Sequence, residues 1–362
     1  MPLFLLKKLT VSKACLVILI LTVVIGDYLS FYKTSVTWKI PEREEDGSLC
    51  VLAVSDPQIQ GLNGELPSIL GYITRWDADR YLSHAFAAAV KFVKPDVIVF
   101  LGDLMDEGFE STNEEFIVYT QRFDRIFNVP NDIHKIYLAG DNDIGGEGPD
   151  VLSSQTVGRF TKHFGPLNDI INIKTFQFVK INTVSFLRFS VPAYKEEKKT
   201  YNATLQFIHG IPSHMKDDTT TIVLAHAPLP NMPSDIYHEF ISKTKPKISL
   251  AGHLHKHLQV YHRIKNPVTT FWEYIIPTCS YRMGTRQIGF GVLIVENNAK
   301  PKLSILKLPD RYFYLFVHLF LSCFTLFVLI IRFARRFLMS LIWKAIRLLK
   351  KVFRKHIMHK NV

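Results

Sequence analysis

Twenty consecutive residues, Tyr312 to Ile331 (YFYLFVHLFLSCFTLFVLII), carry one histidine and no formal charge. Coiled as a helix, such a run spans about 30 Å, the thickness of a bilayer's hydrocarbon core. It leaves no polar stripe to face water, as a helix on the surface of a soluble protein would need. Tyr312, Phe313 and Tyr314 stand at its start, and Arg332, Arg335 and Arg336 follow its end. These are interface anchors, and the Lys/Arg excess places the C-terminal side in the cytosol.

The other end of the chain has a second apolar segment. Ala14–Gly26 is uncharged for thirteen residues before Asp27. It is either the hydrophobic part of a cleaved signal peptide, with cleavage near Gly26, or an uncleaved anchor running on through Tyr28, Leu29, Phe31 and Tyr32. The anchor is the preferred reading. Both alternatives put the middle of the chain on the lumenal side. The expected organisation is a cytosolic N-terminus (1–13), a signal-anchor (14–32), a lumenal domain (33–310), a second span (312–331) and a basic amphipathic cytosolic tail (332–362). That tail suits the anionic cytosolic leaflet, or else simply continues the spanning helix. The final His359-Lys360-Asn361-Val362 places a lysine third from the end, like a degenerate retrieval signal.

The net charge of +12 belongs to these ends. Residues 332–362 hold ten Lys or Arg and no acid, and Lys7, Lys8 and Lys13 lie before the first apolar segment. What lies between is close to neutral, which argues against a basic nucleic-acid groove. Asn202-Ala203-Thr204 is the sole N-x-S/T site without a central proline and sits in a polar, loop-like stretch (YKEEKKTYNAT), a glycosylation acceptor consistent with a lumenal domain. Cys15 and Cys323 fall in the apolar segments, so only Cys50 and Cys279 remain for the lumen, either as one disulfide or as two unpaired core thiols.

Within the middle region, strand-like runs are expected at 49–54, 96–101, 135–139, 181–189, 221–225, 247–251, 258–262, 271–276 and 289–295. Helices are expected at 79–93, 113–127, 153–164 and 234–243. The first half alternates strand and helix, and the second is strand-rich with short connections. This is an α/β domain of two packed sheets flanked by helices.

Five polar clusters follow strand-like runs: Asp56-Pro57-Gln58, Gly102-Asp103-Leu104-Met105-Asp106, Gly140-Asp141-Asn142-Asp143, Leu224-Ala225-His226-Ala227-Pro228 and Gly252-His253-Leu254-His255. The carboxyl ends of strands are where α/β sheets gather their sites, and the glycines permit sharp turns there. Mixed Asp and His donors suit Mn, Fe or Zn better than Ca. No nucleophile-elbow pattern competes with this reading.

The ordered series resembles the D-x-(H), GDxxD, GN(H)(D/E), H and GHxH signature of calcineurin-like metallophosphoesterases, over residues 49 to 295. With the two apolar ends and the Asp56-Pro57-Gln58 variant, it looks most like the membrane-anchored branch that remodels GPI-anchor glycans, the metallophosphoesterase 1 family. The resemblance implies a two-sheet sandwich holding two divalent ions, manganese first, with iron or zinc as alternatives. Asp103 would bridge them. Asp56, Gln58 and His255 would hold one ion, and Asp141, His226 and His253 the other, with Asp106 supporting a ligand or turn.

Three positions depart from the family pattern. Gln58 replaces a His and offers only an amide oxygen. Asp141 replaces an Asn and adds charge. Asn142 replaces the His credited with assisting the leaving oxygen. Asn142 and Asp143 are therefore the catalytic candidates, the Asp143-Ile144-Gly145-Gly146-Glu147-Gly148 loop supplying either backbone donors or a carboxyl acid. His84, His134 and His209 are further acid candidates, and Arg282 and Arg286 are weaker phosphate-gripping ones.

The implied function is hydrolysis of a phosphodiester, ethanolamine phosphate on a GPI-anchor mannose, in the endoplasmic reticulum, its exit sites or the early Golgi. The partners would be the membrane and GPI-anchored proteins or GPI lipid. The alternatives are a catalytically weakened metal-binding cargo or sorting protein, motivated by Gln58 and Asn142, and a lumenal phosphatase for another lipid phosphate.

Overall fold

The computed structural model describes residues 11–44, 47–64, 68–188, 195–212, 219–265, 268–297 and 299–360. Lys7, Lys8 and the final two residues therefore lie outside the described residues. The chain forms two compact units, one of the terminal segments up to Ser30 and from Arg311, the other of Phe31–Asp310.

Residues Val11–Ser35 are helical throughout, as α1 (Val11–Val24), a π-helical turn (Ile25–Leu29) and α2 (Ser30–Ser35). The domain then runs β1 (Leu49–Val54), α3 (Ile69–Val93), β2 (Val97–Phe100), α4 (Asn113–Ile126), β3 (His134–Tyr137), the single turn α5 (Asp141–Ile144) and α6 (Ser154–Phe164). It continues with β4 (Asp169–Ile173), β5 (Phe176–Ile181), α7 (Lys195–Gly210), β6 (Thr220–Ala225), α8 (Ser234–Thr244) and β7 (Ile248–Ala251). Last come β8 (Leu258–Lys265), β9 (Val268–Ile275), β10 (Gly289–Val295) and β11 (Lys302–Lys307), followed by α9 (Arg311–Lys360). The α9 helix runs unbroken for 50 residues, so the basic tail continues the apolar run without a separate start. The α1–α2 stretch and α9 are both long and apolar enough to cross a membrane.

One sheet has the order β11-β10-β1-β2-β3 and the other β4-β5-β6-β7-β9-β8. Strands β1, β2 and β3 are parallel neighbours, as are β5, β6, β7 and β9. Alternate residues of the two sheets meet between them: Leu49, Val51, Ala53, Val97 and Val99 from the first, Phe176, Phe178, Ile222, Leu224 and Leu250 from the second. The outer face of the first sheet packs under α3 and α4 through Phe86, Phe100, Phe123 and Phe127. The outer face of the second packs on Ile208 of α7 and on Ile236 and Phe240 of α8. Strands buried on both faces read as unbroken apolar runs, which is why β1 and β2 stand out in the sequence.

Five elements differ from expectation. The strand expected over 181–189 lies instead at Phe176–Ile181, and it ends there because Asn182 gives its hydrogen bonds to loop groups. Its N–H donates to Asn168 Oδ1 (2.7 Å), its Nδ2 to Ser185 Oγ (2.9 Å), and Thr183–Phe186 form a 3₁₀ turn. The half-buried edge strands β4 and β11 have too many polar residues to announce themselves. The loop-like stretch around Asn202 is the helix α7, with Asn202 exposed and Thr204 buried, its hydroxyl 3.2 Å from Thr200 O. Helix α3 starts ten residues before the expected 79. Cys50 and Cys279 are both buried free thiols, so the unpaired alternative holds.

Candidate metal centre

Each of the five clusters leaves the end of a strand toward one point. Asp56, Asp103 and Asp141 follow β1, β2 and β3, while His226 and His253 follow β6 and β7. The site therefore joins the carboxyl ends of both sheets. The loops are stitched by backbone bonds, Gln58 N to Asp103 O (2.9 Å), Ile59 N to Leu104 O (3.1 Å) and Gly252 N to His226 O (2.8 Å).

Glycine is required where the loops press together. A Cβ on Gly102 would lie 2.4 Å from His226 Nδ1, and one on Gly140 would lie 2.1 Å from Asp103 Oδ1. Among the described residues, Asp56, Gln58, Asp103, His253 and His255 all have positive φ, between 39° and 68°. Non-glycine residues rarely adopt that region, and such outliers cluster where surrounding structure holds a functional group in place.

Among the described residues two groups of donor atoms emerge, Asp141 with His226 and His253, and Asp56 with Asp103 and His226. The first is the set expected for one ion. His226 Nε2 is 3.0 Å from Asp141 Oδ1, and His253 Nδ1 is 3.1 Å from the same oxygen. The second group differs from expectation in containing His226, whose Nε2 is also 3.5 Å from Asp103 Oδ1. His255 reaches the cluster through Gln58, whose Nε2 is 3.3 Å from His255 Nε2 and donates to Asp103 Oδ2 at 2.7 Å.

The donor set fits divalent metal. His226 Nδ1 donates to Leu101 O (2.7 Å), which leaves Nε2 as the atom facing the carboxylates, the orientation typical of a metal-binding imidazole. Asp56, Asp103 and Asp141 crowd together at 0–8 % exposure. Burial drives the Asp103 carboxyl well above its ordinary range, with His226 opposing and Asp141, Asp56 and Asp143 reinforcing the shift. Asp141 goes the other way. Burial raises it, but hydrogen bonds and charge from His226 and His253 outweigh that and hold it far below the usual range. His226 is correspondingly raised well above its ordinary value, burial being overcome by Asp103 and Asp141. So much buried negative charge calls for cations.

The catalytic candidates occupy different positions. Asn142 is in the cluster, its N–H and Nδ2 donating to Asp103 Oδ1 (3.0 Å) and Oδ2 (2.8 Å). Asp143 faces away, into the loop bases. Its fully buried carboxylate accepts from Gly140 N (2.9 Å), Met105 N (3.0 Å) and Leu104 N (3.1 Å). Burial still lifts it to about 7 against those bonds. It clamps two ligand loops together, and the carboxyl that reaches the rim of the cluster is instead Glu147, 3.8 Å from His253 Nε2.

Asp106 is half-buried and its backbone N–H donates to Ile59 O (3.1 Å). The neighbouring Glu107, not anticipated from the sequence, does more. It accepts from Leu62 N (3.0 Å), Asn63 N (3.0 Å), Gly64 N (2.5 Å) and Tyr119 OH (3.2 Å), fixing the loop after Gln58. The run of Gly61 and Gly64 opposite a GDxxD-type loop was the available signal, since a Cβ at either would strike Glu107. His84 packs on Phe31, His209 pairs with Glu239, and His134 opens β3, so none of the three joins either donor group. Arg282 and Arg286 are likewise outside both groups.

Known proteins bear on this geometry. Residues 50–257 match the family model described as calcineurin-like phosphoesterase. The chain is 24% identical to Metallophosphoesterase 1 homolog of Caenorhabditis elegans over 83% of its own length and 86% of that protein. It is 25% identical to Metallophosphoesterase 1 of Danio rerio, covering 71% of this chain and 75% of that one. Against Cell division control protein 1 of Saccharomyces cerevisiae the identity is 25%, over 72% of this chain and 58% of the yeast protein. The chain spans about half (46%) of the Drosophila melanogaster Metallophosphoesterase 1 homolog it also matches. A solved purple acid phosphatase from yellow lupin seeds aligns at 12% identity and a TM-score of 0.46, over 74% of this chain and 52% of that one. The matched family model covers more than half of the sequence and every residue of both donor groups, so the chain belongs to the calcineurin-like phosphoesterases.

Proposed function

We propose that this protein is a membrane-anchored phosphodiesterase, with its domain in the lumen of the early secretory pathway, that removes ethanolamine phosphate from a mannose of GPI anchors. The observation that carries the reading is the convergence of Asp56, Asp103, Asp141, His226 and His253 in a chain with two helices apolar enough to cross a membrane. The relatives named Metallophosphoesterase 1 support the same branch.

Asp56, Asp103, Asp141, His226 and His253 would hold divalent ions, manganese by preference, which when bound would supply Lewis-acid polarisation of phosphoryl oxygens and activation of water. The protein's own groups position them. Leu101 O fixes the His226 tautomer, and Gln58 and Asn142 fix the Asp103 carboxylate from two sides. Asn142 thus acts as a hydrogen-bond donor and brings no acid proton. General acid assistance is worth about 10²–10⁴-fold, and a mannose oxygen leaves as an alkoxide that needs a proton, so cleavage here draws on Glu147 at the rim.

The test is hydrolysis by the purified full-length protein. Metal-dependent release of ethanolamine phosphate from a GPI glycan, lost in His253→Ala, is the expected result. Full activity in that variant overturns the assignment, and turnover of a different lipid phosphate alone redirects it. One observation favours a second reading, a binding or sorting protein with a weakened site: two amide donors already occupy Asp103 Oδ2. That reading expects fewer than two metals per chain and no turnover.

A further inference from the structure

We infer that the first half of α3 is a bilayer-docking face that seats the domain against lipid headgroups. The inference rests on the membrane-anchored part of the reading above and is independent of its chemistry. Ile69, Tyr72, Ile73 and Trp76 recur at i, i+3, i+4 and i+7 and are 79%, 66%, 48% and 52% exposed, with Leu70 beside them. The opposite face, with Gly71, Asp77, Ala78, Tyr81 and Leu82, is buried. A helix packed on a domain normally turns its polar stripe outward, and this one presents aromatic and branched apolar side chains. Arg75 and Arg80 flank them, and the Arg80 guanidinium lies 5.0 Å over the Trp76 ring. Trp, Tyr and Ile bordered by Arg is the composition of an interfacial helix, with rings at headgroup depth and guanidinium groups on phosphates.

The same helix holds both points where the chain leaves the domain for its apolar helices. The Phe31 ring is 5.2 Å from that of Tyr81, and Tyr81 OH donates to Pro309 O at 2.8 Å. Phe31 and Asp310 are the terminal residues of the domain, joined directly to the apolar helices by the chain. Trp76 is five residues from Tyr81, about 7.5 Å along the axis, and Ile69 about 18 Å. The exposed stripe therefore begins beside the tether points, where a bilayer is held at high effective concentration.

On its other side the stripe adjoins the loop that follows Gln58. Thr74 Oγ1 accepts from Gln60 Nε2 (3.2 Å), and Arg122 bridges Gln60 O (2.8 Å) and the Asp79 carboxylate (2.8 and 3.0 Å). Gln60 is two residues from Gln58, so docking would set the ligand loops near headgroup level. A second copy is a poorer occupant. Five such side chains offer roughly 400–600 Å², short of the ~800 Å² per partner of a standard stable interface.

The experiment uses the full chain with Cys323→Ser, reconstituted in phosphatidylcholine vesicles containing a minority of phosphatidylserine, with a nitroxide on Ile73→Cys. Tyr72→Cys repeats the test on the same stripe, and Val118→Cys, exposed on α4, is the reference. The expected result is a several-fold higher ratio of oxygen to nickel-chelate accessibility at 72 and 73 than at 118. A ratio equal to that at 118 overturns the proposal. So does exclusion of both agents with spin–spin broadening, which would mark a second copy. The readout involves no catalysis, so failure of the hydrolytic reading leaves it intact.

Discussion

His226 Nε2 and Asp141 Oδ1 meet at 3.0 Å across the junction of the two sheets, and the same nitrogen serves both groups of candidate ligands. That sharing separates the histidines. His226→Ala is expected to strip metal from both positions and to lower kcat/KM by ~100-fold or more, beyond what loss of a supporting contact causes. His253→Ala should retain about one equivalent. Elemental analysis of the purified variants checks this, and equal metal content in the two would refute it.

Close packing of the loops makes Gly252→Ala costly. Its Cβ would stand 2.3 Å from Ser55 Oγ and 3.3 Å from Asp56 Oδ2. A loss of about 1–3 kcal/mol is expected, as for other overpacked sites, together with weaker metal binding. Gly158→Ala in α6 meets nothing within 4 Å and should instead be neutral or stabilising by up to ~1 kcal/mol. Thermal denaturation of the pair provides the comparison.

Lys180 in β5 gives a pH signature. Its Nζ donates to Tyr137 O at 2.8 Å, and burial depresses it to about 8. A lysine unfolds to a pKa near 10.4, so between about 8 and 10.4 the unfolded chain binds more protons than the native one, and this group's contribution to stability rises with pH. Below 8 its charged form costs a constant amount. Lys180→Met should flatten that rise and stabilise the protein at pH 7 by ~1–2 kcal/mol, part of the gain being offset by the unpaired Tyr137 carbonyl. Chemical denaturation at pH 7 and pH 10 tests it, and an unchanged slope would count against it.

Between the two long apolar helices, Arg311 Nη1 lies 2.6 Å from Asp27 Oδ1 and 3.3 Å from Gly26 O. Removing one partner of a buried pair typically costs about 3–5 kcal/mol, whereas an apolar replacement of both is close to neutral. Asp27→Leu should destabilise the full-length protein in detergent, and Asp27→Leu with Arg311→Leu should recover most of the loss. A double variant no better than the single one would show that the pair is not the cause.

Much of this architecture was legible because burial on both faces leaves a plain signature. Leu49–Val54 and Val97–Phe100 are unbroken apolar runs, and the glycine-led clusters after them mark the turns. The polar helix Lys195–Gly210 was not legible, since its Lys- and Glu-rich start resembles a loop and only a few positions such as Ile208 face inward. The start of α3 escaped for the opposite reason: its apolar stripe faces out, so periodicity alone could not assign it to the domain. Within the site, the ligand types could be read from their order along the chain, but direction could not. Asp143 and Asp141 are two residues apart on one helical turn, yet one carboxylate closes on backbone amides while the other meets two histidines. Glu107, which fixes the first ligand loop, sits beside the motif residue Asp106 and belongs to no motif of its own.

The left-handed backbone at Asp56, Gln58, Asp103, His253 and His255 has an evolutionary consequence. Each such residue burdens the fold by about 1 kcal/mol or more, and glycine would lift the burden at every one of them. Selection for thermal robustness alone would therefore drift toward glycine at these five positions and erase the pocket first. Stability screens of this protein will enrich for inactive chains unless metal binding is selected alongside.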